Sequence, residues 1–242
     1  MGRYSSQGTS DMNVKAFIVT ASLLICPMTS CLAAEIQAAP DAGWREKVRH
    51  FAEANFKHPA WGYSHSVRDY DLARQLAATD GVKLDDDVLF AAAMLHDMAA
   101  FPGYAAKDVD HADGAAELVG NVLKDTGFPM GKLQAVQSAI RTHMFFRDPV
   151  GPEALYLHDA DALEWLGAIG IARLTATVDL TGTIIGGSPD GPTVVKGLQA
   201  NLQAVPQRVL SKAGQALVPE RSAFLKRYLE LLGGQTDDFK KL

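Results

Sequence analysis

Eight consecutive apolar residues, Val88-Leu89-Phe90-Ala91-Ala92-Ala93-Met94-Leu95, end on two polar ones, His96-Asp97. The run belongs to a helix predicted over Asp85 to Ala99, apolar on most sides and therefore central. Upstream, Trp44, Val48, Phe51 and Ala52 share one face of a helix from Trp44 to Asn55. Pro59 and Gly62 break the pattern, and Ser64 is placed to cap a second helix through His65, Val67, Tyr70, Ala73, Leu76 and Ala77. Downstream, helical spacing covers His111 to Asp125, Lys132 to Thr142, and a stretch opening at Pro152, which suits a first turn, and running towards Trp165. Gly167 to Leu180, Val194 to Leu210 and Pro219 to Leu232 complete the set. No alternating strand pattern and no internal repeat is visible, so the expected fold is all-α, a compact multi-helix bundle.

The predicted organisation is a signal peptide over 1–34, a linker over 35–43, the main helical domain over 44–181, a flexible loop over 182–193, rich in glycine and proline, and C-terminal helices over 194–242 packing on the domain. The first segment has Lys15, an apolar core from Ala16 to Ile25, and small residues at Ser30-Cys31-Leu32-Ala33-Ala34. That order is the layout of an export signal, too short to span a bilayer comfortably. Met12 also provides an alternative start. Cleavage after Ala33 or Ala34 gives a soluble product, whereas Met28-Thr29-Ser30-Cys31 resembles a weak lipobox that would anchor Cys31 by a lipid. On either route the mature chain carries no transmembrane span, and the expected location is the periplasm or envelope.

Hydrophobic residues make up 48% of the 242 and charged ones 21%, which fits a packed globular core. The net charge of −5 gives no electrostatic reason to expect duplex nucleic acid as a ligand. Both cysteines, Cys26 and Cys31, lie in the leader. The mature protein therefore has no disulfide and no thiolate ligand to offer, and a bound metal must be held by nitrogen and oxygen.

A buried helix seldom ends on adjacent polar side chains, because each needs a partner to offset its desolvation. Imidazole and carboxylate are both good ligands for divalent cations. With His65 upstream and Asp161 downstream, the order is His…His-Asp…Asp. The phrases His65-Ser66-Val67-Arg68-Asp69, Ala92-Ala93-Met94-Leu95-His96-Asp97 and Asp159-Ala160-Asp161-Ala162-Leu163-Glu164-Trp165-Leu166-Gly167-Ala168-Ile169-Gly170-Ile171-Ala172-Arg173 resemble the HD-domain phosphohydrolase superfamily over about residues 45 to 180. The resemblance implies an HD-domain bundle whose helix ends converge on a metal held by His65, His96, Asp97 and Asp161. The ion would be Mn, Fe, Ni, Co, Zn or Mg. Some members of that superfamily carry two further histidines and a second ion, a pattern that His111 and His143 match in order and context. With one ion they would instead bind phosphate oxygens or donate protons.

The implied activity is hydrolysis of a phosphate ester, on a nucleotide or another small phosphorylated metabolite, by a metal-activated water. Asp97, His111, His143 and Arg68 are its catalytic candidates. Arg68 lies one turn from His65, where it either meets a phosphate or pairs with Asp69 or Asp71. Lys107 and Arg147, in loops, are read first as solvated cations. Asp159 is expected to orient a ligand histidine or cap a turn. His58 and His158 have no metal role by the family pattern, and His50 reads as a surface residue. Two other readings remain open: a protein that binds metal or nucleotide without turnover, and a di-iron oxygenase on the same scaffold. Oligomeric state is not legible.

Overall fold

The computed structural model describes residues 42–181 and 186–242, excepting the side chain of Ala42. The predicted signal peptide and most of the linker lie outside the described residues, as do residues 182–185 of the predicted loop. Nine α-helices make up the described part: α1 (Ala42–Asn55), α2 (Tyr63–Thr79), α3 (Asp86–Leu95), α4 (His111–Leu123), α5 (Leu133–Arg141), α6 (Pro152–Leu163), α7 (Gly167–Thr175), α8 (Gly191–Ala204) and α9 (Lys212–Gln235). Among the described residues there is no strand, and an isolated bridge joins Val178 to Ser188. None of these helices is long and apolar enough to cross a membrane.

The fold is organised around α3. Every residue from Val88 to Leu95 is buried, and the helix packs against α1, α2, α5 and α6. Trp44 and Tyr70 meet the ring of Phe90 edge-on at 5.4 and 5.3 Å, and Trp44 also meets Phe128 at 5.0 Å. Each such side chain contributes roughly 1.5–3 kcal/mol by leaving water. The two ends of α3 are chemically opposite. At its start Asp85 caps the backbone N–H groups of Asp87 and Val88, and three acids in a row suit the positive end of the helix dipole. Arg45 of α1 pairs with Asp86 and Asp87, and Lys132 pairs with Asp85 and Asp87, which ties α1 and the start of α5 to that end. At its finish stand His96 and Asp97, followed by a 3-10 turn over Met98–Ala100.

Helix α2 starts at Tyr63 with Gly62 in the cap position, so Ser64 lies inside the first turn rather than capping it. Steric room decides this. A Cβ on Gly62 would land on the backbone oxygens of His58 and Phe56, so only glycine lets the chain fold back here and bring His65 inward. The C-terminal part also differs from the pattern-based expectation. Helix α7 stops at Thr175, α8 starts at Gly191 and ends at Ala204, and α9 starts at Lys212 with Pro219 in its interior. Ser211 caps α9, and Pro219 sits on its exposed face, where water can reach the carbonyl of Gln215 that the proline leaves unbonded.

Helix α9 braces the corner between α6 and α7. Arg221 donates to the carbonyl of Leu163, and Asp159 accepts from the backbone N–H groups of Leu210 and Ser211. Replacing Gly62 by alanine is expected to cost about 1–3 kcal/mol of unfolding free energy through overpacking. Urea denaturation of Gly62→Ala beside the wild type measures this, and equal midpoints would show the turn to be pliable.

Candidate metal centre

Four helices deliver the polar cluster. His65 comes from the first turn of α2, with Asp69 one turn later on the same face. His96 closes α3, His143 follows α5, and Asp161 lies in the last turn of α6. All five are buried. The local chemistry of the two helix ends is the same. His96 Nδ1 donates to the carbonyl of Ala93 at 2.8 Å, and His143 Nδ1 to that of Ile140 at 2.6 Å. Each ring thus bonds a carbonyl in the last turn of its own helix, and each turns Nε2 inward. For His65 a carboxylate does the same work, with Glu164 Oε2 2.9 Å from Nδ1. Glu164 in turn receives two hydrogen bonds from Arg68, at 2.7 and 2.9 Å.

The inward-facing atoms converge tightly. His65 Nε2 and His96 Nε2 stand 3.2 Å apart. From His65 Nε2 it is 3.1 Å to Asp69 Oδ2, 3.3 Å to Asp161 Oδ1 and 3.5 Å to Asp97 Oδ2. The ligand atoms offered by His65, Asp69, His96 and Asp161 all lie within 4.8 Å of one another, and so do those of His96, Asp97 and His143. Asp97 links the groups, with Oδ2 3.3 Å from His96 and Oδ1 3.6 Å from His143 and 3.4 Å from half-buried His111.

The electrostatics follow from crowding carboxylates in a dry interior. Burial, then the charges of Glu164 and Asp161, push the Asp69 carboxyl well above its ordinary range. Burial would raise Asp97 too, but the neighbouring imidazoles of His96, His111 and His143 outweigh it and hold Asp97 well below its ordinary range. Asp161 is likewise depressed: burial is overcome by His65 and Arg173. His96 and His111, burial notwithstanding, are raised by Asp97, whereas burial lowers His143. Both oxygens of Asp69 and the Nε2 of His143 have no hydrogen-bond partner although they are buried. Converging imidazole nitrogens and carboxylate oxygens, some without a partner, fit a divalent cation with nitrogen and oxygen ligands.

Beside the cluster lies a cavity of about 250 Å³. Its polar lining residues are Asp97, His111, Asp161 and Arg173, and Trp61, Ala100, Met144, Trp165 and Gly186 line the rest. Arg173 is completely enclosed. Its Nε donates to the carbonyl of Ala60 at 2.6 Å, its Nη2 lies 3.1 Å from His65 Nε2, and its guanidinium sits 3.9 Å over the ring of Trp165.

Residues 62–166 match the family model of the HD domain. The chain carries an HD domain. Among solved structures, one described as a predicted HD superfamily hydrolase from an uncultured Thermotogales bacterium is 24% identical, with a TM-score of 0.54 over 79% of this chain and 90% of that one. A protein from Lactobacillus plantarum is 20% identical, with a TM-score of 0.59 over 79% and 96%. Bacillus subtilis YpgQ, crystallised in complex with ADP, is also 20% identical, with a TM-score of 0.58 over 79% and 97%. At these identities the likeness shows the shared fold. No curated protein matches the chain.

HD domains bind divalent metals, and the residues expected here to hold one are brought together: His65, His96, Asp97 and Asp161 meet, with His143 and His111 continuing the cluster past Asp97. Arg68 is a correction. Its guanidinium is bound to Glu164 rather than to Asp69 or Asp71, and it stands behind His65. Arg147 is engaged by Asp110 and Asp113, which joins the loop after His143 to the start of α4, while Lys107 is exposed. Asp159 caps the turn before α9 and also meets His158 Nδ1, and His50 is exposed beside Glu46.

Sequence reasoning passed over Asp69, Glu164 and Arg173. The first two carried a readable signal, since Asp69 follows His65 by four residues and Glu164 follows Asp161 by three, spacings that share a helix face. Arg173 had none, because its reach depends on α7 meeting the turn before α2, where its Nε donates to the carbonyl of Ala60.

Glu164 supplies a pH prediction. Burial raises its carboxyl, but His65 and Arg68 outweigh that and bring it from 4.5 down to about 2. A carboxyl depressed in the folded state contributes stability that is complete above pH 4.5 and fades as pH falls towards about 2. The stability lost in Glu164→Gln should accordingly be largest near neutrality and shrink on acidification. Chemical denaturation of both proteins across that range checks the sign, and a gap that grows on acidification would contradict it.

Proposed function

We propose that this HD domain is a metal-dependent phosphohydrolase, acting on a phosphate ester of a nucleotide or another small phosphorylated metabolite. The observation that carries the reading is the convergence of His65, His96 and His143 nitrogens with Asp69, Asp97 and Asp161 oxygens at the wall of a small cavity. In it, His65, His96, Asp97 and Asp161 hold the cation. Asp97 has one oxygen towards each half of the cluster, so a second ion between Asp97, His143 and His111 is part of the proposal. When bound, a divalent cation there acidifies a water and polarises a phosphoryl oxygen.

The protein's own groups account for the remaining work. Asp97 is ionised and lines the cavity, so it is available to accept a proton from the attacking water. His111, half-buried and raised above its ordinary value by Asp97, is placed to return a proton to the leaving oxygen. Arg173, buried and bordering the cavity, is placed to stabilise negative charge gathering on phosphoryl oxygens. Glu164 and Arg68 hold the His65 ring in the tautomer that presents Nε2. The ADP in the Bacillus subtilis structure makes nucleotides the first substrates to try. Export through the apolar N-terminal segment belongs to the same proposal, and the enzyme would then scavenge phosphate esters in the envelope.

In Asp97→Ala, phosphatase activity is expected to fall by at least about a hundredfold, with a lower metal-to-chain ratio by elemental analysis. Activity equal to the wild type would rule the mechanism out.

A further inference from the structure

The cavity is lined by polar and apolar residues, and the mechanism uses the polar ones. Besides Asp97, His111, Asp161 and Arg173, two indoles, Trp61 and Trp165, line it with Met144 and Ala100. An ester whose phosphorus meets the polar groups sets its leaving group against this remaining lining.

The indole of Trp61 is held in place. His58 stacks on it at 3.6 Å and 12° between planes, and the imidazole is itself fixed by the backbone N–H of Ala60 donating to its Nδ1 at 3.1 Å. The same residue's carbonyl takes the Nε of Arg173 at 2.6 Å, so the turn carrying Trp61 is bolted to α7. With one face covered by His58, the cavity meets the indole at its opposite face or its rim. A rigid aromatic surface beside a reaction centre binds flat rings without an ordering cost. The charge distribution narrows the choice further. Arg173 lies over Trp165 and borders the same space, which disfavours a cationic group such as a quaternary ammonium, the other common guest of paired aromatics.

We propose that Trp61, backed by His58, is a specificity-determining residue that selects phosphate esters with a flat, uncharged aromatic or heteroaromatic leaving group over aliphatic ones. The assignment rests on the phosphohydrolase reading for its substrate class, and it concerns the part of the ester that the metal cluster does not touch.

The test compares phenyl phosphate with n-butyl phosphate as substrates, and phenylphosphonate with n-butylphosphonate as ligands that are not esters, using the full chain loaded with Mn2+. The proteins are wild type, Trp61→Phe and Trp61→Leu, with thermal melts to confirm folding. Intrinsic reactivity differs between the two esters but cancels when each variant is compared with the wild type. The expected result is a loss of about tenfold or more in kcat/KM for phenyl phosphate in W61L, with n-butyl phosphate within about twofold and W61F close to wild type. Calorimetry is expected to show tighter binding of phenylphosphonate, a preference absent in W61L. Equal losses on both esters, or equal affinity of the wild type for both phosphonates, would overturn the proposal. The wild-type phosphonate comparison needs no variant, so it decides even if W61L does not fold. If neither ester is hydrolysed while the phosphonate preference persists and depends on Trp61, the hydrolase reading falls and the stacking wall stands.

Discussion

Four carboxylates, Asp69, Asp97, Asp161 and Glu164, are buried within reach of the same imidazole cluster, and the rest of the structure is arranged to tolerate them. Each ion taken out of water costs several kcal/mol even after relaxation, so the group can persist only with cations and donors set against it. Arg173 and Arg68 supply positive charge, one fully enclosed and one at the edge of solvent. The imidazoles supply the remainder. The surplus shows in Asp69, whose carboxyl is driven well above its usual range, while Asp97 and Asp161 are driven below theirs. Carboxyls pushed in opposite directions within one cluster are a pattern that clusters at functional centres.

Helix ends are what make such a cluster buildable. A helix interior consumes its own backbone groups, but its last turn leaves carbonyls free. His96 and His143 each donate Nδ1–H to a carbonyl of their own helix's last turn, and the same bond aims the other nitrogen at the centre. Capping and ligand orientation are thus one interaction. The burial of α3 fixes where that end lies, and the acid-rich start of the same helix is bound to Arg45 and Lys132 on its neighbours. Arg147 and Arg221 extend this bracing, the first from the His143 loop to α4 and the second from α9 to the end of α6.

Much of this was legible in the order of residues, for identifiable reasons. The apolar run of α3 and its polar ending His96-Asp97 require no tertiary information, and His65 and Asp161 join them through the order His…His-Asp…Asp and its flanking phrases. Helix existence was readable from periodicity, whereas boundaries were not. Gly62 rather than Ser64 caps α2, because steric space in the preceding turn outranked side-chain capping propensity. Pro219 sits within α9 because its unpaired carbonyl faces water. What the order of residues concealed was the far side of the site. Arg173 reaches the turn that carries His58 and Trp61 only through tertiary packing, by donating to the carbonyl of Ala60, and no local pattern encodes that meeting. Arg68 was misread for the same reason, since its partner Glu164 is distant in sequence.

The central claim is that these nitrogens and oxygens are the ligands of a divalent cation. Anomalous diffraction at the manganese edge from crystals grown with Mn2+ tests it most directly. The account predicts a peak bonded at about 2.0–2.2 Å to the Nε2 atoms of His65 and His96 and to carboxylate oxygens of Asp97 and Asp161. Fully loaded crystals with no peak at those atoms, or with manganese bound elsewhere, would contradict it.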